Sequence, residues 1–262
     1  MKGAPPPYPP DVMTFFDPIL RAGSLRAGDL DDLRFFGVGG ALVAGEGDGA
    51  SADGVFRRWD GLAGAALRRA RRAGLEAWAA VGVSPLEIPR RGLEALLAEL
   101  PHRLGRPRVA VVGPLGLERG GAREEEVLAR QLALAAELRV PVLLRAAPGE
   151  RAARRALAVV RESELPPERV LAGAAGLRDV RTIRGCGHLA ALDLSAGSLD
   201  EAVRIVRALG PEGLALASGA GDGAGDLLAI PRAAGRMHKA GLSAAVIRRV
   251  CGENARRWVG GS

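Results

Sequence analysis

The feature that most constrains this chain is a set of short apolar runs that do not alternate with polar residues. Val109-Ala110-Val111-Val112 is one, and Val142-Leu143-Leu144 is another. A strand with one wet face alternates. A continuous apolar run is what a parallel sheet covered by helices on both faces requires. Comparable runs predict strands at 12–16, 38–44, 75–83, 170–173, 188–194 and 213–217. Each is followed by a helix, or by a loop and a helix. The best-developed helical pattern covers 124–138, where Leu128, Leu132, Ala135 and Leu138 recur at helical spacing. Eight such units in about 250 residues match the size of a (β/α)8 barrel. No GxGxxG opens any helix, which counts against a doubly wound open sheet. The predicted fold class is therefore α/β, a (β/α)8 TIM barrel.

Further helices are predicted at 25–36, 55–73, 91–100, 150–160, 177–184 and 200–209. Two more, at 226–240 and 243–258, are separated near Gly241. Pro101 is expected to stop the helix at 91–100 and to leave His102 in a turn. Residues 1–11, with the Pro-rich stretch MKGAPPPYPP, are expected to be a disordered tail, leaving 12–262 as one barrel domain. Aromatics make up only 3% of the chain, so the core must be built from Ala, Val, Leu and Ile.

The net charge of +7 comes almost wholly from arginine, since Lys2 and Lys239 are the only lysines. A basic balance permits nucleic acid, phosphates or acidic partners. These arginines fall on helix faces beside Glu and Asp, which reads as a solvated surface, and nucleic acid is not the favoured partner. Cys186 and Cys251 lie far apart with no CxxC and read as reduced thiols of a cytoplasmic protein. No secretory h-region and no apolar run near the roughly 18 residues of a membrane span is visible, so membrane insertion is not expected.

In a (β/α)8 barrel the site lies at the carboxyl ends of the strands. Five stretches there carry a resemblance. They are Phe15-Phe16-Asp17-Pro18, the turn Gly113-Pro114-Leu115-Gly116-Leu117, and Gln131-Leu132-Ala133-Leu134-Ala135. Pro141-Val142-Leu143-Leu144 and the closing Glu253-Asn254-Ala255-Arg256-Arg257 complete the set. In this order and spacing the chain resembles the TatD-type metal-dependent hydrolases of the amidohydrolase superfamily, from about Thr14 to Val259. The resemblance implies one or two divalent metals that activate a water. Their ligands would be an HxH after the first strand, a Glu after the fourth, a His ending the fifth, a His after the sixth and an Asp ending the eighth.

Placed on this sequence, those ligands are all replaced. The HxH falls on Ile19 and Arg21, the Glu on Pro114 and the fifth-strand His on Arg145. The sixth-strand ligands fall on Gly173 and Ala174, and the Asp on Gly219. The three histidines, His102, His188 and His238, are not spaced to share a metal and read as ordinary surface or satisfied residues. No catalytic or metal-binding residue is therefore assigned, and no cofactor is expected.

What remains at the predicted mouth is Asp17, Glu46, Glu118, Asp193, Asp222 and Asp226, with Arg21 and Arg145 where histidines would stand. Asp226 reads as a helix N-cap. Ser218 has no histidine placed to activate it. Three functions stay open. The first is a metal-free barrel acting as a binding or assembly subunit, with a protein partner or an active paralogue. The second is a hydrolase, on phosphoesters, using a divalent metal held by Asp17, Glu46, Glu118 and Asp222. The third is a binder of small anions or phosphometabolites through Arg21 and Arg145.

Overall fold

The computed structural model describes residues 14–21, 23, 25–47, 51–221 and 225–260. The tail 1–11 lies outside them. Eight parallel strands follow one another in chain order around a single sheet: β1 (Phe15–Leu20), β2 (Val38–Val43), β3 (Glu76–Val81), β4 (Val109–Leu115), β5 (Val142–Leu144), β6 (Val170–Ala174), β7 (Leu189–Asp193) and β8 (Leu214–Ala217). The seam between β1 and β8 closes through a parallel bridge of Arg21 with Gly221, where Arg21 N donates to Ala220 O at 2.9 Å. The predicted (β/α)8 barrel is the fold found.

Helices connect the strands on the outside. They are α1 (Ala27–Phe35), α2 (Ala52–Gly61), α3 (Leu67–Arg72), α4 (Leu93–Leu104), α5 (Ala122–Leu138), α6 (Glu150–Glu162), α7 (Leu177–Gly185) and α8 (Leu199–Leu209). After β8 come α9 (Ala229–Lys239), α10 (Ala244–Arg248) and α11 (Asn254–Gly260). Among the described residues, no helix is long and apolar enough to cross a membrane.

Two apolar cores follow from the closed sheet. One lies between the strands and the helices and is rich in Val, Leu and Ala, as the composition requires. The other fills the barrel with small residues such as Ala80, Ala191, Ala215 and Ala217. The few aromatics carry more of this inner core than their number implies. Phe16 fills the interior beside Gly40, where a Cβ would come within 2.7 Å of the Phe16 ring. Trp258 on α11 packs into the same cluster from the N-terminal end.

Several predicted boundaries shift, each for a physical reason. β1 runs through Asp17-Pro18, and β4 runs through Gly113-Pro114, where the sequence placed a turn. Each strand absorbs its proline with a register shift, between Asp17 and Leu20 and between Val112 and Leu115. A proline without an N–H is tolerated inside a sheet at such an irregularity. Helix α4 continues past Pro101, so His102 is helical. Its last turn is held by buried Leu100 and Leu104, and by Arg103, which bonds Glu99 at 2.9 Å and pairs with Asp60. The helix predicted at 55–73 starts earlier, at Ala52, where the Ser51 hydroxyl caps Gly54 N at 3.1 Å, and a π-turn at Leu62–Ala66 interrupts it. Asp226 is not the N-cap of α9. It caps the preceding turn through Leu228 N at 3.0 Å and pairs with Arg232 at 2.7 Å.

Candidate functional site

The carboxyl ends of the strands hold two polar clusters. The first ties β1 to the segment that follows β8. Asp17 is 1% exposed. Its Oδ1 accepts from Ile19 N at 3.1 Å and from Ser218 N at 3.2 Å, and its Oδ2 accepts from the Ser218 hydroxyl. Ser218 Oγ accepts in turn from Ala220 N at 3.0 Å. Burial pushes the Asp17 carboxyl up to about 6, against the hydrogen bonds from Ser218 and Ile19, and the nearby Asp193 carboxylate adds to the rise. Asp193 itself accepts at Oδ1 from Ser195 N at 2.8 Å and Ser195 Oγ at 2.6 Å.

The second cluster joins β2, β4 and β5. Arg145 follows β5, and its Nη1 donates to Glu118. Its Nε is buried 3.0 Å from Glu46 Oε1 but off the line of a hydrogen bond, so that contact is an ion pair. Glu46 Oε1 also accepts from Ser84 Oγ at 2.8 Å. Gly116 makes room, because a Cβ there would sit 3.0 Å from Arg145 Cγ.

Below this cluster lies a buried fork that the sequence reading missed. Arg58 on α2 donates from Nε to Glu87 Oε1 at 2.7 Å and from Nη2 to Oε2 at 2.5 Å. It also reaches Gly45 O and Gly82 O, both at 3.0 Å, while Gly47 N donates to Glu87 at 2.9 Å. Burial raises the Glu87 pKa, and Arg58 opposes the rise. The pair is 29 residues apart with no local motif. The Asp17–Ser218 bond, spanning 201 residues, is equally without a local motif.

The structure thus brings Arg145, Glu46 and Glu118 into one cluster and sets Asp17 beside Asp193. Arg21 lies on the β1–β8 seam, and among the described residues no contact joins it to Arg145. Asp222 lies outside the described residues. Next to Arg145, a cavity of about 300 Å3 opens between α6 and α7, lined by Ala146, Pro148, Leu157, Gly173 and Thr182.

The positions that the resemblance assigns to metal ligands do not fit a metal. Pro114 is buried inside β4 and offers no donor atom from its side chain. A Cβ at Gly173 would come within 2.6 Å of Ala146 N. A Cβ at Gly219, where φ is +59°, would come within 2.6 Å of Asp193 Oδ1. Arg145 is a cation already held by two carboxylates. Among the described residues, no three His, Cys, Asp or Glu side chains are grouped to hold a metal ion.

The barrel has solved counterparts. The TatD-like protein from Archaeoglobus fulgidus superposes with a TM-score of 0.79 over 94% of this chain and 100% of its own, at 22% identity. The fold is TatD-like. The phosphotriesterase homology protein from Escherichia coli, solved with phosphate in its active site, gives a TM-score of 0.71 over 96% of this chain and 100% of its own, at 15% identity. In sequence, an uncharacterized metal-dependent hydrolase of Methanocaldococcus jannaschii is 34% identical over 86 residues, 33% of this chain. That match spans only 34% of the curated relative's length. No family model matches the chain. The resemblance read from the sequence holds for the whole TatD-like barrel, at the level of the fold.

Proposed function

We propose that this chain is a relative of the TatD-type metal-dependent hydrolases that has lost its metal site and serves as a non-catalytic binding or assembly subunit. One observation carries the reading. The guanidinium of Arg145 stands between Glu46 and Glu118, where the resemblance puts a ligand histidine. A guanidinium keeps its proton in a protein and has no lone pair to give a metal. It supplies by itself the positive charge that a bound metal would otherwise bring to those carboxylates. Gly173 supports the same reading, since the Ala146 backbone occupies the space a ligand side chain would need, and Gly219 supports it through its φ of +59°, which L side chains rarely adopt.

The rival readings draw less support. A carboxylate-held metal would need Asp17, which is spent on Ser218, and would need Glu46 and Glu118, which are spent on Arg145. An anion at this mouth would compete with those two glutamates for Arg145. The cavity between α6 and α7 is the better place for a small ligand of a binding subunit, and a protein partner or an active paralogue in the cytoplasm is the matching context. The test is hydrolysis of bis(p-nitrophenyl) phosphate by the full chain with added Zn2+, Mn2+ or Mg2+. The expected rate is that of the metal in buffer. Turnover abolished by Glu118→Gln would overturn the proposal.

A further inference from the structure

The cavity of about 300 Å3 between α6 and α7 is built by small residues. Ala146, Ala147 and Pro148 come from the segment after β5, Ala153 and Leu157 from α6, and Ala175 from the segment after β6. All six keep surface that the protein does not cover. Interiors pack to crystal density, so small residues gathered around one gap leave apolar surface for another molecule to cover. Ligand sites are mostly apolar, with a few placed polar groups. At roughly the 30 Å3 that a water takes in the liquid, the space holds on the order of ten non-hydrogen atoms.

The charged groups of the lining stand in the first turns of the two helices. On α6, Glu150, Ala153, Arg154 and Leu157 share one helical face. Arg178 on α7 reaches across to it, and its Nη2 donates to Glu150 Oε1 at 2.5 Å. Arg154 Nη2 pairs with that same oxygen. Two guanidinium groups from two helices therefore meet at one atom, and all three residues line the cavity. The two arginine side chains are 68% and 71% exposed, so a ligand reaches both. One carboxylate serves two cations, and each guanidinium keeps N–H groups that bond nothing among the described residues. The other polar lining groups are taken. Thr182 Oγ1 donates to Arg178 O at 3.0 Å, Asp179 Oδ2 accepts from Ala175 N at 2.9 Å, and Arg145 is held by Glu46 and Glu118. A second carboxylate at the mouth would match two cations with two anions.

We propose that this cavity binds a small monocarboxylate with an unbranched apolar body, the body against Ala153 and Leu157 and the carboxylate on Arg154 and Arg178. The inference rests on the binding role proposed above and names the ligand of that role.

The experiment is calorimetric titration of the full chain at pH 7 with octanoate, hexanoate and 1-octanol. Octanoate is expected to bind about tenfold tighter than hexanoate, from two more buried methylenes. It is expected to bind about fivefold tighter than 1-octanol, the upper range for an exposed ion pair. Arg178→Gln should remove that preference for the carboxylate and leave 1-octanol unchanged. Ala153→Leu keeps a good helix former and fills the gap from α6, and it should remove octanoate binding. No octanoate binding at millimolar concentration, equal affinity for the two acids, a carboxylate preference that survives Arg178→Gln, or octanoate binding that survives Ala153→Leu would each overturn the proposal. Failure here is separate from failure of the metal-loss reading, which the phosphodiester assay decides.

Discussion

At the scale of the residue, Asp17 shows how one side chain can be structural while looking catalytic. It sits at a strand end beside a serine, yet its oxygens are spent on closing the barrel. Its raised pKa sets the sign of a pH effect. Between pH 4 and 6 the unfolded chain loses this proton while the folded chain keeps it, so stability falls as pH rises through that window. Above pH 6 the full cost is present, up to about 3 kcal/mol. Asp17→Asn cannot ionise. Relative to wild type it is expected to gain about 2–3 kcal/mol in stability between pH 4 and pH 7, read from urea denaturation at each pH. A difference that does not change with pH would contradict the burial account. Arg145→Ala would leave Glu46 and Glu118 facing each other without a cation. A loss of about 1–3 kcal/mol is expected, and Arg145→Lys should restore only part of it, because one ammonium cannot replace a fork. Thermal denaturation of the two variants checks this.

At the scale of the element, the strands and helices were legible because their burial pattern is local. β5 and its neighbours were readable from apolar runs alone, and α5 from its periodicity. The prolines misled, since Pro18 and Pro114 suggested strand ends and the register shifts that accommodate them depend on the neighbouring strands. Pro101 misled for the same reason, because tertiary contacts of Leu104 and Arg103 outweigh its local effect. The glycines at the strand ends make an element-scale prediction. Gly173 on β6 lies so close to the β5–α6 loop that Gly173→Ala is expected to cost about 1–3 kcal/mol, measured by chemical denaturation. A neutral substitution there would mean that the loop can move and that the space for a ligand side chain is not closed.

At the scale of the whole molecule, the barrel could be read from one sequence, but the pairing of the side chains at its strand ends could not. That Arg145 pairs with Glu46 and Glu118, and that Arg58 forks onto Glu87, depends on contacts across 27 to 99 residues that no spacing rule reveals. Surface arginines behave as the sequence implied, many pairing with carboxylates such as Arg130 with Glu94 and Arg155 with Glu125. Exposed pairs of this kind contribute only about 0–1 kcal/mol each. The barrel therefore rests on its two apolar cores, and its strand-end chemistry rests on a few partly buried pairs. The most direct measurement is elemental analysis of the purified full chain after dialysis against Zn2+, Mn2+ and Mg2+. If Arg145 stands in for the metal, as proposed, the chain should carry no stoichiometric metal. One or two bound ions per chain would contradict that account and return the strand-end carboxylates to a catalytic role.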